Sequence, residues 1–94
     1  ELALRVYGHQ YPPGQNNCKD TKLEVPFAPK NHTIIIDKIN QIRPQGVTPI
    51  SYALQQAAGD FPAQPGYRNI LILITDGIES CGGDPCSVSQ ALQA

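Results

Sequence analysis

Asn69-Ile70-Leu71-Ile72-Leu73-Ile74-Thr75-Asp76-Gly77 is the stretch whose reading decides the fold. Ile70 to Ile74 presents aliphatic side chains to both faces of an extended chain, and the run is shorter than an ordinary helix. Isoleucine favours extended backbone because its branched Cβ packs well on a pleated surface. A short strand that is apolar on both faces belongs in the middle of a parallel sheet, with helices above and below it. Asp76-Gly77 supplies the turn that ends it. A strand is therefore predicted over about 69–75.

Working outward, Thr48-Pro49 opens the clearest helix. Thr48 can cap, Pro49 fits the first helical position, and Ile50, Ala53, Leu54, Ala57 and Ala58 trace one face before Gly59. That places a helix over about 49–58, followed by a loop with Pro62, Pro65 and Gly66. A second helix is predicted over about 32–43, where Ile35, Ile39 and Ile42 recur at helical spacing between Asn31 and Pro44. Leu2 to Tyr7 and Lys22 to Phe27 read as strands, the second at a sheet edge because Pro26 cannot donate to a ladder. The turn-rich stretch from His9 to Asp20 is a long loop, and Ser87 to Ala94 begins a third helix. Such an order points to a layered α/β fold, and the length permits one small domain.

The chain is 94 residues long and carries a formal charge of −1, with 16% charged residues against about 25% in typical soluble domains. So neutral a surface lacks the basic patch that nucleic acid or an anionic membrane needs. Its longest apolar run, Ile70 to Ile74, is far below the roughly 20 residues that span a bilayer. No signal or transit peptide is visible in these residues, and with no Met among them they are expected to be a processed or excised piece.

Three cysteines bear on the compartment. Cys81 and Cys86 enclose the turn-rich Gly82-Gly83-Asp84-Pro85, which brings two sulfurs within bonding range and makes this pair the disulfide candidate. Cys18 then pairs elsewhere or stays free. Zinc is the rival use of the close pair, but no second pair accompanies it, and His9 and His32 lie in other segments. Both histidines read as solvated or hydrogen-bonded.

Asp76, at the carboxyl end of the predicted strand, is the strongest functional signal. Ligands of open α/β sheets bind outside the strand carboxyl ends, and a carboxylate there suits a hard cation or a general base. Asp-Gly is equally ordinary turn chemistry. Thr48 has the same duality, as a helix cap or as an oxygen ligand for Mg²⁺. Glu79 and Asp84 add nearby carboxylates whose ordinary state is solvated. Gly82-Gly83 lacks the Lys and Ser/Thr of a phosphate loop, and no nucleophile matches a base.

Gly46-Val47-Thr48-Pro49-Ile50 followed by Ile70-Leu71-Ile72-Leu73-Ile74-Thr75-Asp76-Gly77 resembles the second half of a von Willebrand factor type A domain. The bacterial envelope-type members are nearest, because a cysteine loop like Cys81 to Cys86 follows their Asp-Gly. Tyr7-Gly8 and Cys18-Lys19-Asp20-Thr21 fit as well. The resemblance implies a metal-ion-dependent adhesion site, with Thr48 and Asp76 as metal residues for Mg²⁺, Mn²⁺ or Ca²⁺. The family's Asp-x-Ser-x-Ser motif and the first strand that carries it are absent from this sequence. The resemblance implies a doubly wound, mostly parallel sheet with helices on both faces and strand order 3-2-1-4-5-6. In that order 22–27 is the antiparallel edge strand beside 2–7, the missing strand lies between those matching 2–7 and 69–75, and residues 1–94 are a partial domain. The slot is filled by a separate chain, by the rest of a longer chain, or by direct pairing of its two walls. Unpaired edges also predict a homodimer or strand exchange.

The function implied is a non-catalytic protein-binding or adhesion module, with a protein ligand bearing an acidic group. A structural or divergent fragment without a functional metal site is the alternative. A metal-assisted phosphohydrolase is the distant third, since Ile74 stands where such enzymes carry the nucleophilic Asp. An oxidising, extracytoplasmic setting (periplasm, cell surface or secreted) suits a disulfide.

Overall fold

The computed structural model describes residues 1–63, 66–75 and 77–93. Strands β1 (Leu2–Tyr7) and β2 (Thr21–Ala28) pair antiparallel, with Tyr7 opposite Thr21, Arg5 opposite Leu23 and Leu2 opposite Ala28. Two register irregularities, between Leu2 and Leu4 and between Leu4 and Arg5, twist the ribbon locally. Helices α1 (His32–Gln41), α2 (Ile50–Ala58) and α3 (Pro85–Gln93) complete the regular structure.

Successive strand residues point to opposite faces, so the side-chain partners of β2 show where the helices sit. Glu24 reaches Lys38 of α1, Oε1 to Nζ 3.7 Å, whereas Phe27 stacks on Phe61, just beyond α2, with centroids 5.3 Å apart. The two helices therefore flank opposite faces of the ribbon. The buried core is Val25 of β2 with Ile50, Ala53, Leu54 and Ala57 of α2. Arg5 ties β1 to the end of α2 by a two-pronged contact with Asp60, at 2.6 and 2.8 Å. Buried Asn31 donates from Nδ2 to the carbonyls of Leu2 and Pro26, fastening the open end of the ribbon to the start of α1.

The doubly wound parallel sheet is overturned. Among the described residues the sheet has two strands, and they are antiparallel. The antiparallel pairing of 22–27 with 2–7 is the one expected; what fails is the parallel sheet beyond it, because no described segment crosses over to lie beside β1 in the same direction. The segment 69–75 is not a central strand. It joins no ladder, and Ile70 to Ile74 are between 42 and 87% exposed. Composition makes this stretch suited to a sheet, but a strand exists only where a neighbour accepts its hydrogen bonds, and among the described residues β1 pairs with β2 alone.

The loop after β1 is organised by a carboxylate. Asp20 is fully buried and accepts from the backbone amides of Gln10 and Tyr11 at 3.1–3.2 Å and from Gln10 Nε2 at 3.1 Å. Gly8 and Gly46 cross beside it, with Gly46 N donating to the Gly8 carbonyl at 2.7 Å. Gly8 has φ +72°, and a Cβ there would stand 2.5 Å from the Val47 carbonyl oxygen. A Cβ on Gly46 would meet Asp20 Oδ2 and the Tyr11 carbonyl, both at 2.8 Å. Only glycine allows both backbones this approach.

Glu24 carries a pH prediction. Burial pushes its carboxyl up, but the His9 hydrogen bond at 2.6 Å and the charges of Lys22, His9 and Lys38 outweigh it and leave the group below its ordinary 4.5. A lowered folded value means stability that is present above about pH 4.5 and lost as pH falls through the folded value. Glu24→Gln is expected to be less stable than the parent at pH 7, with the gap closing as urea midpoints are followed down to pH 3. An unchanged gap over that range would contradict the account.

Candidate functional site

The loops at the Tyr7 end of β1 gather around Thr48. Its amide donates to Ser80 Oγ at 2.7 Å, and its carbonyl accepts from Ser80 N at 3.0 Å, so the 46–48 turn and the 77–81 loop are clamped together. The Thr48 methyl lies against Gly77, where a Cβ would be 3.9 Å away. On the other side the Tyr7 hydroxyl donates to Thr75 Oγ1 at 2.6 Å.

The capping role expected of Thr48 falls elsewhere. Helix α2 begins at Ile50 with the buried Pro49 at its cap position, and no local side chain bonds its first turn. Glu79 does so instead: Oε1 accepts from Ser51 N at 2.7 Å and Oε2 from Cys81 N at 3.1 Å. A carboxylate at a helix N-terminus satisfies an orphan amide and complements the helix dipole. The expectation of a merely solvated Glu79 missed this, because local spacing carries no sign of a cap supplied from beyond the next segment. Asp84 was read the same way and caps α3. Its carboxylate accepts from Cys86 N, Ser87 N and Ser87 Oγ at 3.1, 3.3 and 2.8 Å. The Ser87 side-chain bond, then the backbone bonds from Ser87 and Cys86, hold this carboxyl below its ordinary value against slight burial. Asp-Pro at a helix start was the available signal.

The disulfide joins Cys18 to Cys81, with Cα atoms 5.6 Å apart, and the Cys81–Cys86 candidate is corrected. Cys86 lies in the first turn of α3, held by Asp84, and is an exposed free thiol. Cys81 is anchored by Glu79, where the loop ordered by Asp20 delivers Cys18. Long-range loop packing, not the short spacing, selects the partner. His9 is paired with Glu24, and His32 is exposed on α1.

Asp76, the other expected metal residue, lies outside the described residues. Among the described residues no three His, Cys, Asp or Glu side chains come together as a metal-holding group. Glu79 and Asp84 are engaged with backbone amides, which leaves the Thr48 hydroxyl as the expected donor among the described residues at this end. The described residues do not by themselves fit a Mg²⁺, Mn²⁺ or Ca²⁺ site, which calls for several oxygen ligands. No described helix is long and apolar enough to cross a membrane.

No protein-family model matches the chain, and no solved structure matches it. Among curated proteins it is 34% identical over 101 aligned residues to the uncharacterized protein YwmD of Bacillus subtilis (strain 168), covering 99% of the chain and 44% of that protein. The uncharacterized protein YwmC of the same organism is 32% identical over 101 residues, covering 99% of the chain and 43% of that relative. The chain thus spans less than half the length of the curated relatives it matches.

Proposed function

We propose that residues 1–94 form part of a non-catalytic, extracytoplasmic protein-binding module of the cell-adhesion type, whose ligand-facing end is the loop cluster around Thr48. The observation that carries this reading is the division of labour between Thr48 and Glu79. Glu79 takes over the start of α2, so the hydroxyl of Thr48 has no capping duty while Ser80 holds its backbone from both sides. A polar group positioned by braced loops at one end of a fold suits recognition, since ordering was completed before a partner arrives. The resemblance to von Willebrand factor type A domains supports the same end of the molecule and a partner with an acidic group. The Cys18–Cys81 bond supports an oxidising compartment.

A divalent cation belongs to this proposal only for a longer polypeptide, because the described residues lack the donor set. Calorimetric titration of Mn²⁺ is expected to give no binding by the 94-residue chain and saturable binding by the full-length polypeptide. Thr48→Ala and Asp76→Ala are each expected to weaken that binding at least 10-fold with circular dichroism unchanged. Full binding by Asp76→Ala would overturn the metal assignment. Absence of binding by either polypeptide would favour a structural module that acts through its loops or edges without metal.

A further inference from the structure

A pocket of about 330 Å³ opens between β2 and the end of α1, with His9, Glu24, Lys38, Arg43 and Gln45 on its walls. Two contacts hold His9 in place. Its Nε2 meets Glu24 Oε2 at 2.6 Å, and its carbonyl accepts from Gln45 Nε2 at 2.7 Å. The His9 side chain is 7% exposed, and its other ring nitrogen, Nδ1, is buried with no hydrogen-bond partner among the described residues. A buried polar atom without a partner is rare in folded proteins and calls for an explanation. Positive charge is in excess around it. Lys38 and Lys22 hold Nζ 3.7 and 3.9 Å from Glu24 Oε1, beyond hydrogen-bond range, so both ammonium groups keep their donors. Arg43 commits Nη1, to the carbonyls of Asn40 and Ile42 at 3.1 and 3.2 Å. Three of the chain's seven Lys and Arg side chains thus meet around one carboxylate, a local excess of two positive charges in a chain whose formal charge is −1. Neutralising Glu24 needs one of them.

We propose that this pocket binds a phosphate group, free or as the ester of a small molecule, with Lys38 and Arg43 as charge-assisted donors and His9 Nδ1 as the partner of one phosphate oxygen. Charge selects phosphate over carboxylate. A phosphate ester carries about 1.5 to 2 negative charges at pH 7, enough to cancel the local excess, whereas a carboxylate cancels half of it. Phosphate oxygens accept hydrogen bonds and, when singly ionised, one of them also donates, so the group partners Nδ1 whether or not that nitrogen carries a proton. The Arg43 guanidinium, with Nη2 and Nε uncommitted among the described residues, matches two phosphate oxygens at once, and Lys38 adds a point charge beside it. The carbonyl end of α1 opposes an anion, and Arg43 Nη1 offsets that by covering carbonyls there. The volume falls at the lower end of the roughly 300–1,000 Å³ of small-molecule sites. One such pocket takes a single phosphate group, not the row of phosphates that a nucleic acid presents. The site involves neither Thr48 nor a metal ion.

Calorimetric titration of the full-length polypeptide with inorganic phosphate, glycerol phosphate and acetate at pH 7 tests this. Saturable one-to-one binding of phosphate is expected, with acetate about 10-fold weaker or more. Tighter binding of glycerol phosphate identifies an ester as the ligand, and tighter binding of inorganic phosphate identifies the free ion. Arg43→Ala and Lys38→Ala are each expected to weaken phosphate binding about 10-fold with circular dichroism unchanged. Lys30→Ala, an exposed cation on the turn before α1, is expected to change it less than about 2-fold. An equal loss in Lys30→Ala would reduce the effect to bulk charge and overturn the site. So would equal binding of acetate, or no phosphate binding at all. Protein labelled with ¹⁵N at its two histidines supplies a second readout. At constant pH the His9 Nδ1 resonance is expected to move with added phosphate, while His32, exposed at the opposite end of α1, stays put. A His9 ring that does not respond at saturation would sink the placement.

Discussion

Replacing Cys18 and Cys81 together with serine is expected to lower the free energy of unfolding by about 4 kcal/mol, the largest effect of any change considered. The bond closes a loop with a sequence separation of 63, and cross-linking so long a loop removes conformational freedom chiefly from the unfolded chain. It also anchors the loop 8–20 to the 77–81 loop, so part of the loss arises in the folded state, where Glu79 and Ser80 lose a fixed target. Urea unfolding with and without reductant measures it, and the reduced parent should match the double variant. Cys86→Ser is expected to change neither curve, because that thiol is free and exposed. A disulfide-linked peptide joining Cys81 to Cys86 in a non-reducing digest, or a loss below about 1 kcal/mol, would refute this account.

Asp20→Ala is expected to cost about 3 kcal/mol. Two backbone amides and one side-chain amide lose a charged acceptor, each such bond being worth roughly 1.5–3 kcal/mol, and water recovers part at the exposed Gln10 and Tyr11. The damage should spread to the Gly8–Gly46 crossing, since Gly46 packs within contact of the same carboxylate. Asp20→Asn, which keeps one acceptor oxygen and loses the charge, should cost about half as much as Asp20→Ala. Urea midpoints decide both, and hydrogen exchange at Gln10 and Tyr11 locates the effect. Equal stability of Asp20→Ala and the parent would show that the loop is held by its disulfide alone.

Helix positions were legible because their signals are local. Thr48-Pro49 and the Ile50, Ala53, Leu54, Ala57 face place a helix that begins one residue later than expected, and of the expected Ile35, Ile39 and Ile42 stripe, Ile35 in α1 and Ile42 at its end are half-buried while Ile39 is exposed. Strand pairing was not legible from the same kind of pattern. Ile70 to Ile74 state a preference for extended backbone, but sheet membership depends on which backbone lies alongside, and none of the described residues fills that place. The cysteine partners followed the same logic. The four-residue spacing from Cys81 to Cys86 is a local feature, whereas Cys18 reaches Cys81 through a loop folded by Asp20 and two glycines. At the candidate site Thr48 stood out in the sequence, yet the carboxylate that relieves it of capping, Glu79, follows it by an entire helix and loop.

The Cys18–Cys81 bond has a further consequence wherever the chain meets a protease. Each cut on the exposed connections around residues 29–30, 43–45 or 66–68 falls inside the bracketed stretch. A chain nicked there remains one covalent molecule, with the loop end around Thr48 still joined to both fragments. Cleavage becomes visible as lost mass only after reduction. A surface held this way survives a single cut at any one of these connections without shedding its parts.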